Sequence, residues 1–211
     1  NLADLEAQYE PGKYDAADGD ARLTAAGYTK DGEGFWADAS GDRIKCNIVS
    51  FSLWTDLGPV LAETLKQHGI ESSYSEPTDA YQQMSGGTYE CGLFGHNGAQ
   101  SGNIYRTLNL YTTGNPENLF QYSNPDFDAL VQELSVTADE AKVRELEHAA
   151  MEIWLQDMPD LQLVQFFNRT GNNQHYWTNW PSTATDPYMN GIHPHTGFAY
   201  TLLQLEPTDA Q

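Results

Sequence analysis

Residues 165 to 190 read Q-F-F-N-R-T-G-N-N-Q-H-Y-W-T-N-W-P-S-T-A-T-D-P-Y-M-N, interleaving flat aromatics with side-chain amides around one positive charge, Arg169. That mixture suits a sugar, whose ring offers an apolar C–H face for stacking and a fringe of hydroxyls that need neutral donors and acceptors. Trp177 and Trp180 supply the faces; Asn172, Asn173, Gln174 and Asn179 supply the amides. The ordinary alternative is core packing, with the aromatics plugging a junction between two parts of the chain. Burying so many amides without partners is costly, and this weighs toward a ligand for the cluster as a whole.

Other chemistries find less support. The six histidines include an H-P-H pair, His193 and His195, but no third ligand lies close in sequence, and surface or core histidine is the ordinary reading. No H-E-x-x-H, G-x-S-x-G or G-x-x-x-x-G-K-[ST] occurs. Carboxylates are so abundant that some pair always fits a glycosidase, which makes the pairing uninformative. The expectation is a binding protein with no enzymatic activity, no cofactor and no metal.

The elements that position such a site are best signalled between Tyr14 and Glu71. Arg43 to Phe51 is β-rich and puts Ile44, Cys46 and Ile48 on one face, which predicts a strand. Leu57, Val60, Leu61, Leu65 and His68 then form one apolar helical stripe, ended by Gly69, and Ile70 to Ser75 makes a second strand. Strands bridged by such a helix are normally parallel, and ligands sit beyond their carboxyl ends. This places Ser52 to Asp56 at a binding edge, with Trp54 as its aromatic.

Further along, Pro77 to Met84 predicts a helix and Thr88 to Phe94 a strand with Tyr89, Cys91 and Leu93 on one face. That strand runs into Gly95 to Gly102, a loop of small and polar residues where His96, Asn97 and Gln100 are candidate contacts. Ile104 to Leu110 is a helix, and Asn124-Pro125 opens another that ends near Val136. Thr137 and Glu140 have capping-box spacing for the longest helix, whose inner face is Val143, Leu146, Ala150 and Ile153 and which Pro159 closes. Leu161 to Phe167 reads as an apolar strand.

Thirty acidic residues against ten basic ones give a formal charge of −20, which opposes binding to nucleic acid or anionic lipid. After Leu146 the only Lys or Arg is Arg169. No segment approaches the apolar length of a membrane span. Cys46 and Cys91 each fall in a predicted strand; they would bridge if those strands are neighbours in an oxidising compartment, but the expectation is two buried thiols.

Three segments carry a family likeness. Y-D-A-A-D-G-D-A-R-L-T-A-A-G-Y-T-K-D-G-E-G-F-W (14 to 36), L-K-Q-H-G-I-E (65 to 71) and Y-S-N-P-D-F-D-A-L-V-Q-E-L (122 to 134) resemble, in order, the extracellular solute-binding proteins of ABC importers, family 5, the oligopeptide, nickel and oligosaccharide group. The Y-W-T-N-W-P run (176 to 181) resembles its oligosaccharide binders, notably those for β-linked glucose oligomers. The resemblance implies an α/β fold of the periplasmic-binding-protein type (type II, large dipeptide and oligopeptide class), with a central sheet flanked by helices and a tail that returns to the other lobe. It implies a carboxyl-terminal piece of a longer protein: a leading helix or linker over 1–13, the lobe over 14–180 and the returning tail over 181–211.

The chain opens with Asn1 rather than Met, consistent with such a piece. The implied partners are a small solute, oligosaccharide or peptide, and a membrane permease. The protein is expected to be monomeric and periplasmic or extracellular, with a lipid anchor in the preceding part. Many peptide-binding relatives carry a Trp and an Asp after the strand matching 88 to 94, the Asp receiving the peptide's amino terminus. Here F-G-H-N-G-A-Q-S (94 to 101) has no carboxylate, so a buried ammonium would lack its counter-charge there. The departure favours sugar, and Arg106 or Arg169 would serve the carboxylate end if the ligand were a peptide.

Overall fold

Parallel pairing of three short strands organises the chain in the computed structural model, which describes residues 2–95, 104–164, 173–180 and 201–209. Two compact units are present, Asn1–Leu161 and Gln162–Gln211. The first opens with helices α1 (Ala3–Tyr9) and α2 (Ala16–Ala25), followed by a small antiparallel pair, β1 (Thr29–Lys30) and β2 (Trp36–Ala37). It continues through β3 (Lys45–Ser50), α3 (Leu57–Gln67), β4 (Glu71–Ser75), α4 (Ala80–Ser85), β5 (Cys91–Leu93), α5 (Ile104–Asn109), α6 (Pro125–Val136) and α7 (Glu140–Asp157). Among the described residues no helix is long and apolar enough to cross a membrane.

The predicted strand-helix-strand unit is present. β3 is central, in the order β4-β3-β5, and pairs parallel with both neighbours: Lys45 opposes Glu71, Val49 opposes Ser75 and Ile48 opposes Cys91. Alternation along β3 sends Ile48 toward α3, where it packs with Ala62 and Leu93 under Leu57, Leu61 and Leu65. Val49 points the other way and packs with Ala80, Met84 and Leu119. The sheet is thus sandwiched by α3 and α4. Val60, assigned to the apolar stripe of α3, is instead exposed, because the buried line of that helix runs through the small residues Gly58 and Ala62.

Gly69 ends this unit at φ +84, where a Cβ would stand 2.8 Å from the Gly34 carbonyl oxygen. Two hydrogen bonds dock Trp36 there: its backbone N–H donates to Gly69 O at 2.8 Å and its indole N–H to His68 O at 3.1 Å. The lead-in segment is thereby fastened to the amino-terminal side of β4.

The cysteines depart from expectation. Cys46 and Cys91 form a disulfide, with Cα atoms 5.3 Å apart and a sequence separation of 45. The reason is topological: β5 lies directly beside β3, and both side chains turn toward the α3 face. Tyr89 also departs, joining the α4 side and donating its hydroxyl to Leu119 O. Residues 88–90 are not strand, and the Glu90 carboxylate takes the Asn47 backbone and side-chain N–H groups at 2.9 and 2.7 Å where a ladder would otherwise begin.

A second core joins the last three helices of this unit. Leu108, Tyr111, Phe127, Val131, Leu134, Leu146 and Ala150 form one buried cluster. Asn124 caps α6 as its sequence announces, accepting from the N–H groups of Asp126 and Phe127 at 3.0 and 3.2 Å, with Pro125 in the first turn. The cap of α7 is Asp139, which accepts from Lys142 N–H at 2.9 Å, and not Thr137. Thr137 ends α6 instead, donating its hydroxyl to Glu133 O at 2.8 Å. Leu161 to Val164 lacks regular structure, so the predicted strand is not formed there, and its remainder lies outside the described residues.

The two ends of this helical pair are stitched by one carboxylate. Tyr122 Oη and Asn124 Nδ2 donate to Asp157 Oδ2 at 2.5 and 2.8 Å, and these donors, Tyr122 first, hold the Asp157 carboxyl below its ordinary value. A depressed folded-state pKa stabilises the fold above the unfolded value, about 3.9, and the contribution disappears as pH falls through the folded value. Chemical denaturation at a series of pH values should therefore show stability falling on acidification below about pH 5. Tyr122→Phe should flatten that fall.

Candidate functional site

The carboxyl ends of β3, β4 and β5 bring together residues far apart in sequence. Ser50 closes β3, fully buried, and its hydroxyl donates to Leu93 O at 2.6 Å, which joins the outlets of two strands. The chain then makes one tight turn, Ser52–Trp54, held by Trp54 N–H to Phe51 O at 3.0 Å and by the Thr55 hydroxyl to Ser52 O at 2.7 Å. The turn delivers Trp54 half-buried onto Ile48, Ala62 and Leu93. Gly95 leaves β5 against the same indole: a Cβ there would stand 3.1 Å from Trp54 Cζ2.

Two residues absent from the sequence reading, Tyr74 and Gly58, complete this edge. Tyr74, near the end of β4, lies across α3 at Gly58, where any Cβ would stand 1.9 Å from the ring. Its hydroxyl donates to Glu76 at 2.8 Å, and burial followed by that acceptor pushes the phenol up from its ordinary value. Knowing that β4 flanks β3 in parallel would have placed Tyr74 level with Ile48; a single aromatic in E-S-S-Y-S carries no other signal.

Trp177 and Trp180 belong to the second unit, where β6 (Trp177–Thr178) pairs antiparallel with β7 (Glu206–Pro207), Trp177 opposite Pro207. The Trp180 indole N–H donates to Trp177 O at 3.0 Å, so the two tryptophans share one turn of chain. Asn179 makes the bend at φ +63 and donates from Nδ2 to Gln204 O at 2.7 Å. Trp177 remains 48% exposed and Tyr176 56%, which leaves aromatic faces open beside amide side chains. His96, Asn97 and Gln100 lie outside the described residues, as do Asn172, His193 and His195. Among the described residues no group of three or more His, Cys, Asp or Glu is arranged to hold a metal ion.

A parallel sheet between helices is an arrangement shared with solved structures. The chain superimposes on the periplasmic oligopeptide-binding protein of an oligopeptide ABC transporter from Thermotoga maritima with a TM-score of 0.79 at 27% identity, over 95% of this chain and 42% of that one. The same protein, solved with mannohexaose bound, gives 0.75 at 25% identity over 93% and 40%.

The chain has the fold of a periplasmic solute-binding protein lobe. The oligopeptide-binding protein of Thermus thermophilus, solved with a pentapeptide, shares that fold at 20% identity and a TM-score of 0.56 over 71% of this chain and 29% of its own. The chain spans about two fifths of the length of the Thermotoga protein. No protein-family model matches the sequence, and no curated protein does.

Proposed function

We propose that this chain is the carboxyl-terminal lobe of the solute-binding component of an ABC importer, and that the solute is an oligosaccharide. The observation that carries the sugar reading is the hairpin of Trp177 and Trp180, whose exposed aromatic face stands among amides and without a lysine or arginine in residues 173–180. It is supported by the similar Thermotoga protein having been solved with mannohexaose. Trp54, His96, Asn97 and Gln100 would contact the solute from the strand outlets, and the tail over 181–211 would return to a preceding lobe. Closure of two lobes would bury the ligand; ligand drives closure only by binding the closed form more tightly, so both lobes must touch it. The protein would act outside the cytoplasmic membrane, as a monomer, handing solute to a permease.

A peptide is the second reading, favoured by the pentapeptide held by the Thermus protein. It needs a counter-charge for the ligand's amino terminus, and the sequence F-G-H-N-G-A-Q-S (94 to 101) holds no carboxylate.

Titration of the full-length protein with cello-oligosaccharides tests the sugar reading. Trp177→Ala and Trp180→Ala are each expected to weaken binding by about 1–2 kcal/mol, roughly 5- to 30-fold, as loss of a stacking platform does. Unchanged affinity in both variants would assign the tryptophans to packing. Incubation with the same sugar should return it intact, since a receptor retains what a hydrolase would cleave.

A further inference from the structure

We infer that Gly95 is a positioning residue for Trp54: the missing side chain at 95 lets the indole lie against the outlet of β5, where it presents its face to bound solute. This rests on the receptor reading above. The backbone does not ask for glycine here, because Gly95 is not among the described glycines with positive φ, which are 27, 34, 41, 69, 87 and 114. Space does ask for it. A Cβ at 95 would stand 3.1 Å from Trp54 Cζ2 and 3.9 Å from Cη2, and apart from its chain neighbours no other described residue comes within 4 Å.

Carbon atoms rest about 3.5–4.0 Å apart, so the indole would have to retreat by roughly half an ångström. Ile48, Ala62 and Leu93 pack against Trp54 from the core, which closes the inward direction. The ring must therefore slide or tilt along the strand outlets, and a stacking platform out of place loses part of its contact. Gly92, within β5, supplies a control: a Cβ there would meet Tyr89 at 3.2 Å and Met84 Sδ at 3.5 Å, crowding about as tight as at 95 but away from Trp54.

The test measures dissociation constants of the full-length protein for a panel of cello-oligosaccharides and di- to pentapeptides, using whichever member the wild type binds. Gly95→Ala should weaken binding about threefold, the loss expected when a stacking contact opens by half an ångström. It should cost nothing further in a Trp54→Leu background, where the obstructing ring is gone and apolar fill remains. Gly92→Ala should leave affinity unchanged. The indole emission lost on Trp54→Phe should also shift in Gly95→Ala, which a purely structural role elsewhere would not produce. Wild-type affinity in Gly95→Ala, or an equal loss with and without Trp54, overturns the proposal while the receptor reading stands. A wild type that binds no member of the panel overturns the receptor reading, and with it the role given to Gly95.

Discussion

Replacing Cys46 and Cys91 together by alanine is expected to cost the first unit about 4 kcal/mol, the chain-entropy value for a crosslink spanning some 45 residues. A domain of this size has about 5–15 kcal/mol in total, so the loss would be a large share of its stability. The cystine spans the Ser52–Trp54 turn, α3, β4 and α4, every element between the two strands it joins. β5 is only three residues long, and the bridge supplements its short ladder to β3 at Cys91, the first residue of the strand. Urea denaturation of the oxidised protein against the double variant measures the difference. Hydrogen exchange at residues 91–93 should rise with it. Equal midpoints with equal slopes would mean that the thiols are not joined in solution.

Phe127→Ala is expected to be as damaging, about 3–5 kcal/mol, for a different reason. The ring is fully buried and meets Tyr122 edge-on at 5.5 Å, in the cluster of Leu108, Val131, Leu134, Leu146 and Ala150. Removing it leaves a hole between α5, α6 and α7 that flanking helices fill only in part. The Asn124 cap should survive, since it uses the Phe127 backbone N–H and not the ring. The same denaturation experiment reads the cost. A loss under about 1 kcal/mol would mean that the three helices collapse onto the vacancy and that their packing is loose.

Much of the fold was legible where one local signal had no rival. The stripe of α3 after the β-rich run of β3, and Asn124-Pro125 at the start of α6, each favour one structure by propensity and capping alone. Thr137 misled because two caps compete within three residues: T-x-x-E at 137 and 140 overlaps Asp139 with Lys142, and the threonine is consumed by its bond back to Glu133. The cystine was not readable because it depends on β5 choosing β3 as its neighbour, a long-range fact.

The site divides along the same line. Trp54 follows from its position after a strand, while Tyr74 and Gly95 enter only through proximity across α3 and β5. Trp177 and Trp180 stand out by composition, and their pairing with Glu206 and Pro207 does not.

The most direct test of the account is a thermal-shift screen of the full-length protein with cello- and xylo-oligosaccharides against di- to pentapeptides. Ligand that binds the native state raises the melting temperature by mass action. A rise with sugars, lost in Trp177→Ala and Trp180→Ala, is the predicted result. A rise with peptides alone would contradict the sugar assignment and return the tail tryptophans to packing, and no rise with either class would contradict the receptor itself.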